Sequence, residues 1–251
     1  MGTIAAILSR KNFRVDPQQV SGMLKSTQRF QGDKPNILSQ LNVAMGHVSF
    51  TANFNVGITS SVNCIQEDGL CIVFDGMLDD REAITRKLPG VLNQCHSDAG
   101  LVLNCYRYFK ADCATHLSGE FVFIIHDSKT QQLLCARDRA GCKPLFFAFL
   151  NDTLLIGSEP VQLFSQPGLS PAPNQTMLVQ YLLSSMSSKS DTIFREVRRL
   201  PPDHTLLLTR DTLLIKPNPS LQHYQRNIEV KTLITPLKFV IKSSLALIAE
   251  Q

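Results

Sequence analysis

The chain of 251 residues is long enough to bury a sizeable core, and its 43% apolar and 18% charged residues are typical of a folded protein rather than a disordered one. The net charge is +4, but the basic residues are scattered and tryptophan is absent, which argues against a nucleic-acid-binding face. No apolar run approaches the roughly 20 residues of a membrane span, and no secretory signal opens the chain, so we predict a cytoplasmic protein that binds neither membrane nor nucleic acid.

The cysteines carry no metal-binding or redox pattern. There are seven of them, an odd number, and no two are spaced as a Cys-x-x-Cys pair. We therefore predict that all are buried free thiols in a reducing compartment and that none holds a metal. They are Cys64, Cys71, Cys95, Cys105, Cys113, Cys135 and Cys142.

Short, strongly apolar runs predict most of the strands. They cover residues 3–8, 69–76, 120–127, 132–138, 144–150 and 153–159, with a hairpin over 205–216. The pair Asp75-Gly76 reads as a sharp stop after the second run, and Asn151-Asp152 has the turn chemistry of a hairpin. Because these runs are apolar on nearly every residue, the strands are expected to be covered on both faces, in stacked layers.

Three helices fit between the strands. The first begins at Asp79 or Asp80, and the second begins after Ser97 and runs to residue 109. The second turns Leu101, Cys105 and either Tyr108 or Phe109 to one side, and a third fits residues 174–185.

The end of the chain predicts a second domain. Residues 216–220 resemble the end of a compact unit, and an amphipathic helix is expected after Glu229. The predicted domains are therefore residues 1–228 and 229–251.

Two stretches carry a resemblance to a known family. Residues 117–164 include LLCARDRAGCKPLFF, and residues 192–208 read TIFREVRRLPPDHTLLL. Both resemble the class II glutamine amidotransferases of the asparagine synthetase type. The resemblance implies an α+β fold, a four-layer αββα sandwich of the N-terminal-nucleophile hydrolase kind. Without the family, the motif's charges read as a hairpin turn with a structural role; they are Arg137, Asp138, Arg139 and Lys143.

The family's nucleophile is missing at the matching position. Relatives begin Met-Cys, and removal of Met leaves a cysteine that attacks the glutamine side-chain amide. This chain begins Met1-Gly2-Thr3, and Gly2 has no side chain with which to attack. Thr3 is a possible alternative nucleophile, but it lies one residue out of register.

Other glutamine-handling positions also depart from the family. The family's oxyanion-binding Asn-Gly corresponds to Asp75-Gly76, which replaces a donor with a carboxylate. The segment with the family's carboxylate-binding arginine corresponds to residues 46–50, which contain none. Asp98 matches the aspartate that holds the glutamine amine, although a first-turn carboxylate is also expected simply because it stabilises a helix. We therefore expect no glutaminase activity, no catalytic residue among these positions and no metal.

The resemblance suggests three functions. The leading hypothesis is the glutaminase-inactive N-terminal half of an ATP-dependent amide-forming ligase that closes lactam or macrolactam rings, because the related β-lactam synthetases and lasso-peptide cyclases likewise lack the cysteine. ATP and magnesium would then bind a C-terminal synthetase domain, with no cofactor in this segment. Expected partners are that domain, a precursor peptide and its maturation protease. The alternatives are a non-catalytic interaction or regulatory domain and an ammonia-using asparagine synthetase relative.

Overall fold

Two six-stranded antiparallel sheets form the centre of the fold in the computed structural model, which describes residues 2–27, 34–49, 63–88 and 97–218. In spatial order the first sheet contains β10 (Arg198–Arg199), β8 (Phe146–Leu150), β9 (Thr153–Gly157), β1 (Gly2–Ser9), β3 (Val43–Ser49) and β2 (Asn36–Gln40). The second contains β12 (Leu213–Pro217), β11 (His204–Leu208), β7 (Gln132–Arg137), β6 (Gly119–Asp127), β5 (Leu70–Leu78) and β4 (Cys64–Glu67).

Four of the five described α-helices begin where a short polar side chain accepts a backbone N–H group. Asp80 and Ser97 do so at two of the predicted helices, and Asn174 does so at the third. The helices are α1 (Pro17–Lys25), α2 (Arg81–Arg86), α3 (Asp98–Phe109), α4 (Pro160–Phe164) and α5 (Gln175–Leu182), with a 3₁₀ helix at Lys110–His116. None of the described helices is long and apolar enough to cross a membrane.

Three apolar cores separate four layers. Ile4 and Ile124 lie in the core between the two sheets. Phe123, the neighbour of Ile124, lies in an outer core with Leu101 of α3, and Val20 of α1 lies in the other outer core. Because successive strand residues point to opposite faces, each sheet contributes side chains to two cores. The predicted α+β, αββα sandwich is confirmed.

The predicted stop at Asp75-Gly76 is wrong, because β5 continues through both residues to Leu78. Gly76 has a φ of 147°, and a Cβ there would lie 2.1 Å from the carbonyl oxygen of Glu120 on β6. The glycine therefore allows a close approach of two paired strands rather than a turn.

The predicted turn at the charged motif is also wrong in its topology. Residues 138–145 connect β7 of one sheet to β8 of the other, so they form a crossing between layers and not a hairpin. By contrast, the turn at Asn151 joins β8 to β9 as predicted, with a φ of 54° at the asparagine.

Several side chains resolve alternatives left open by the sequence. On α3, Phe109 packs against the core and Tyr108 is exposed. The cysteines within the described ranges are free, but Cys142 is exposed, which corrects the prediction that all are buried. Cys95, the predicted boundary at residue 228 and the predicted helix after Glu229 lie outside the described residues.

A buried histidine makes the stability of the fold depend on pH. His126 on β6 is 1% exposed, its Nδ1 lies 2.8 Å from Gln40 Oε1, and its Nε2 has no hydrogen-bond partner. Burial lowers the pKa of His126 from 6.5 to about 4. The unfolded chain therefore binds a proton more readily than the folded chain between those two pH values.

We expect the free energy of unfolding to be highest above pH 6.5 and to fall by up to about 3 kcal/mol from this group as the pH drops to 4. Urea unfolding of the native chain and of His126→Gln at several pH values measures the effect. The native chain should lose more stability across this range than the variant. Equal losses in the two proteins would contradict the assignment to His126.

Candidate functional site

Gly2 lies at the mouth of the layer between the two sheets. It begins β1 and pairs with Ser49 at the end of β3, so these two residues and His47 share one face of the first sheet. Asp75 on β5 approaches from the second sheet, because a Cβ added at Gly2 would lie 2.9 Å from its Oδ1. The structure therefore brings together Gly2 and Asp75, which the sequence resemblance placed in one site.

His47 fills the space in which a side chain at position 2 would begin. A Cβ added there would lie 2.3 Å from His47 Nε2 and 2.8 Å from the carbonyl oxygen of Val48. These separations are shorter than any normal van der Waals contact. Position 2 therefore has no side chain, and His47 and the Val48 backbone leave no space for one.

Asp75 forms a largely buried ion pair with Lys143. Lys143 Nζ lies 2.9 Å from Asp75 Oδ2, and the two side chains are 14% and 8% exposed. Burial by itself raises the pKa of Asp75, but the neighbouring His47 and the Lys143 ammonium outweigh it, so the pKa lies below its usual value. The carboxylate that replaces the family's donor is therefore neutralised by a neighbouring cation.

Hydrogen bonds of the charged motif fix the backbone that carries Lys143. The Asp138 carboxylate accepts the backbone N–H groups of Cys142 and Lys143, and the Arg137 guanidinium donates to the carbonyl oxygens of Gly141 and Lys143. Arg137 and Asp138 thus have the structural role that we predicted. Lys143 was missed as a site residue, since only the crossing between the two sheets places it opposite Asp75.

The carboxylate of Asp98 accepts hydrogen bonds from two groups within the domain. Its carboxylate accepts the backbone N–H of Leu78 at 3.0 Å and Arg81 Nη1 at 2.5 Å, in the first turn of α3. This matches the helix-stabilising alternative. A role for Asp98 or Gly76 toward glutamine stays a prediction.

Thr3 is not an alternative nucleophile at this site. It is 2% exposed, and its Oγ1 accepts a hydrogen bond from Gln162 Nε2 at 3.0 Å. Because adjacent strand residues alternate, its side chain lies on the opposite face of β1 from Gly2. Within the described residues, no group of three or more His, Cys, Asp or Glu side chains is arranged to hold a metal ion.

Comparison with known proteins shows the family to which the whole domain is related. A family profile described as a glutamine amidotransferase domain matches residues 1–218. Glutamine-hydrolysing asparagine synthetase 3 of Bacillus subtilis is 26% identical over 210 residues, covering 82% of this chain and 34% of the relative. Amidase chyE of Penicillium rubens is 30% identical over 172 residues, covering 66% of this chain and 24% of the relative.

Solved structures agree on the fold. The allosteric regulatory enzyme of purine biosynthesis matches with a TM-score of 0.60 at 15% identity, over 86% of this chain and 49% of that one. The glutamine phosphoribosylpyrophosphate amidotransferase of B. subtilis matches with a TM-score of 0.56, also at 15% identity, over the same shares. The chain belongs to the glutamine amidotransferase domain family, and a glutamine-hydrolysing asparagine synthetase is among the relatives that it resembles. It spans about a third of the length of the first of these curated relatives.

Restoring a cysteine should not restore glutamine hydrolysis. We expect Gly2→Cys to release no ammonia from glutamine and to lower the free energy of unfolding by about 1–3 kcal/mol, because its Cβ would overlap His47. A coupled glutamate dehydrogenase assay and urea unfolding measure the two effects. Turnover in this single variant would show that the pocket is open and that its other positions suffice.

Removing the partner of Asp75 should destabilise the domain. Lys143→Met leaves a buried carboxylate unpaired, and we expect a loss of about 3–5 kcal/mol at neutral pH. The matched control is Lys11→Met, which breaks a pair of similar length between Lys11 and Asp152 whose side chains are 61% and 45% exposed. The control should change stability by less than about 1 kcal/mol. Equal effects in the two variants would contradict the buried pairing.

Proposed function

We propose that this chain is the glutaminase-inactive N-terminal half of an asparagine-synthetase-like, ATP-dependent amide-forming ligase. One observation carries the proposal: position 2 has no side chain, and His47 occupies the space in which one would begin. A family member of this kind cannot generate ammonia by attack from that position. Loss of a nucleophile typically lowers turnover on the order of a millionfold.

The missing ammonia source restricts the chemistry of a synthetase half. An activated carboxylate still needs an amine to form an amide, and here glutamine does not supply it. An amine within the substrate satisfies this need and closes a ring. We therefore favour lactam or macrolactam formation in peptide natural-product biosynthesis, with a precursor peptide as substrate and a maturation protease as a further partner. ATP and magnesium would bind the synthetase domain.

The role left for this domain is that of a scaffold for the synthetase half. An exposed apolar surface on α5 supports packing against another domain: Met177 is its buried side chain, whereas Tyr181, Leu182 and Leu183 are 62%, 80% and 68% exposed. The same surface also fits the alternative, a non-catalytic interaction domain. The two differ in whether an adenylating domain acts with this one.

Two assays test the proposal. With glutamine, the protein that contains this chain should release neither ammonia nor glutamate above the buffer background. With ATP, magnesium and candidate precursor peptides, it should form AMP and pyrophosphate and a product lighter by one water. Glutamine-dependent product formation would contradict the proposal, and equal product formation with free ammonium and an acyclic acid would favour the ammonia-using alternative.

A further inference from the structure

The side chains of Ser49, His47 and Asp75 lie next to one another beside Gly2. Ser49 Oγ lies 3.5 Å from His47 Nδ1, and the other ring nitrogen, Nε2, lies 3.8 Å from Asp75 Oδ1. Hydroxyl, imidazole and carboxylate thus follow one another in the order used for nucleophilic catalysis by serine. We infer that Ser49 is a nucleophile that takes the acyl group of activated carboxylic esters, with His47 as its general base and Asp75 as a positioning residue.

The ion pair orients the imidazole for this role. Lys143 holds Oδ2 of Asp75, which leaves Oδ1 on the side of the His47 ring. A carboxylate beside Nε2 favours the tautomer with its proton on that nitrogen, so the lone pair of Nδ1 faces Ser49. Asn63 Nδ2 lies 3.4 Å from the same Nε2, and rotating this amide by 180° places its oxygen there to accept the proton.

The nucleophile is accessible whereas the groups behind it are screened from water. Ser49 is exposed at the end of β3, while the side chains of His47 and Asp75 are 4% and 8% exposed. The residue directly opposite Ser49 is Gly2, which has no side chain to cover the hydroxyl. An ester can therefore reach Ser49 from solvent. The two contacts are longer than catalytic hydrogen bonds, as is common before a substrate binds.

The reaction balances with water alone as co-reactant. Ser49 Oγ attacks the ester carbonyl carbon, and its proton moves to His47 Nδ1. The tetrahedral adduct breaks its bond to the leaving alcohol, which takes the proton from Nδ1. Water then attacks the acyl-serine with His47 again as base, releasing the carboxylic acid and restoring Ser49. Activated esters fit better than amides, because their leaving groups need less protonation and less stabilisation of the oxyanion.

The test uses a fluorophosphonate probe and p-nitrophenyl acetate on the purified chain, with peptide mass mapping of the adduct. We expect one phosphonyl or acetyl group on Ser49 and release of p-nitrophenol. Ser49→Ala should abolish the adduct, and His47→Gln should slow its formation by about a hundredfold or more. The control Ser39→Ala removes an exposed serine from the neighbouring strand β2 and should react like the native chain.

Equal modification of the native chain and Ser49→Ala, or an adduct confined to Cys142 or Lys143, would overturn the inference. Circular dichroism shows whether each variant is folded. If His47→Gln does not fold, the comparison of the native chain with Ser49→Ala still decides. The inference is independent of the proposed ligase, because ring formation is read from a peptide substrate and ATP, neither of which this assay contains.

Discussion

The ion pair between Lys143 and Asp75 sets the chemistry of the inter-sheet mouth. A carboxylate at this depth is costly unless a cation and hydrogen bonds compensate it, and Lys143 arrives from the segment that crosses between the sheets. With Asp75 held in this way, its second oxygen faces the ring of His47, and that ring lies where a side chain at position 2 would begin. The ion pair therefore connects the packing of the two sheets with the filling of the space beside Gly2 by His47.

Most of the described strands could be predicted from the sequence because their signals are local, but β2, β3, β4 and β10 were not predicted, and the layer order came from the family resemblance. Apolar runs of five to nine residues, and the pair Asn151-Asp152, specify strands and a hairpin without reference to the rest of the chain. Asp75-Gly76 carried a local turn signal as well, but the tertiary fit of Gly76 against Glu120 prevailed. A backbone contact between two strands cannot be predicted from the residue pattern of either strand alone.

The candidate site could be predicted only in part for the same reason. The resemblance identified Gly2 and Asp75 as altered positions, and the structure places them together. It did not identify Lys143, which reads as a turn charge until its loop is known to join different sheets. It placed residues 46–50 in the site because of a missing arginine, but it gave no role to His47 or Ser49, since a polar residue near the end of a strand becomes a site residue only through its neighbours on other strands.

Gly2 is the position at which the central claim can be tested most directly. A diazoketone analogue of glutamine reacts covalently with an amino-terminal nucleophile that lies in an open glutamine pocket. After exposure to this reagent, mass mapping of the purified protein should find no adduct on the amino-terminal residue, because Gly2 lacks a nucleophilic side chain and His47 fills its space. A stoichiometric adduct on that residue would contradict the account.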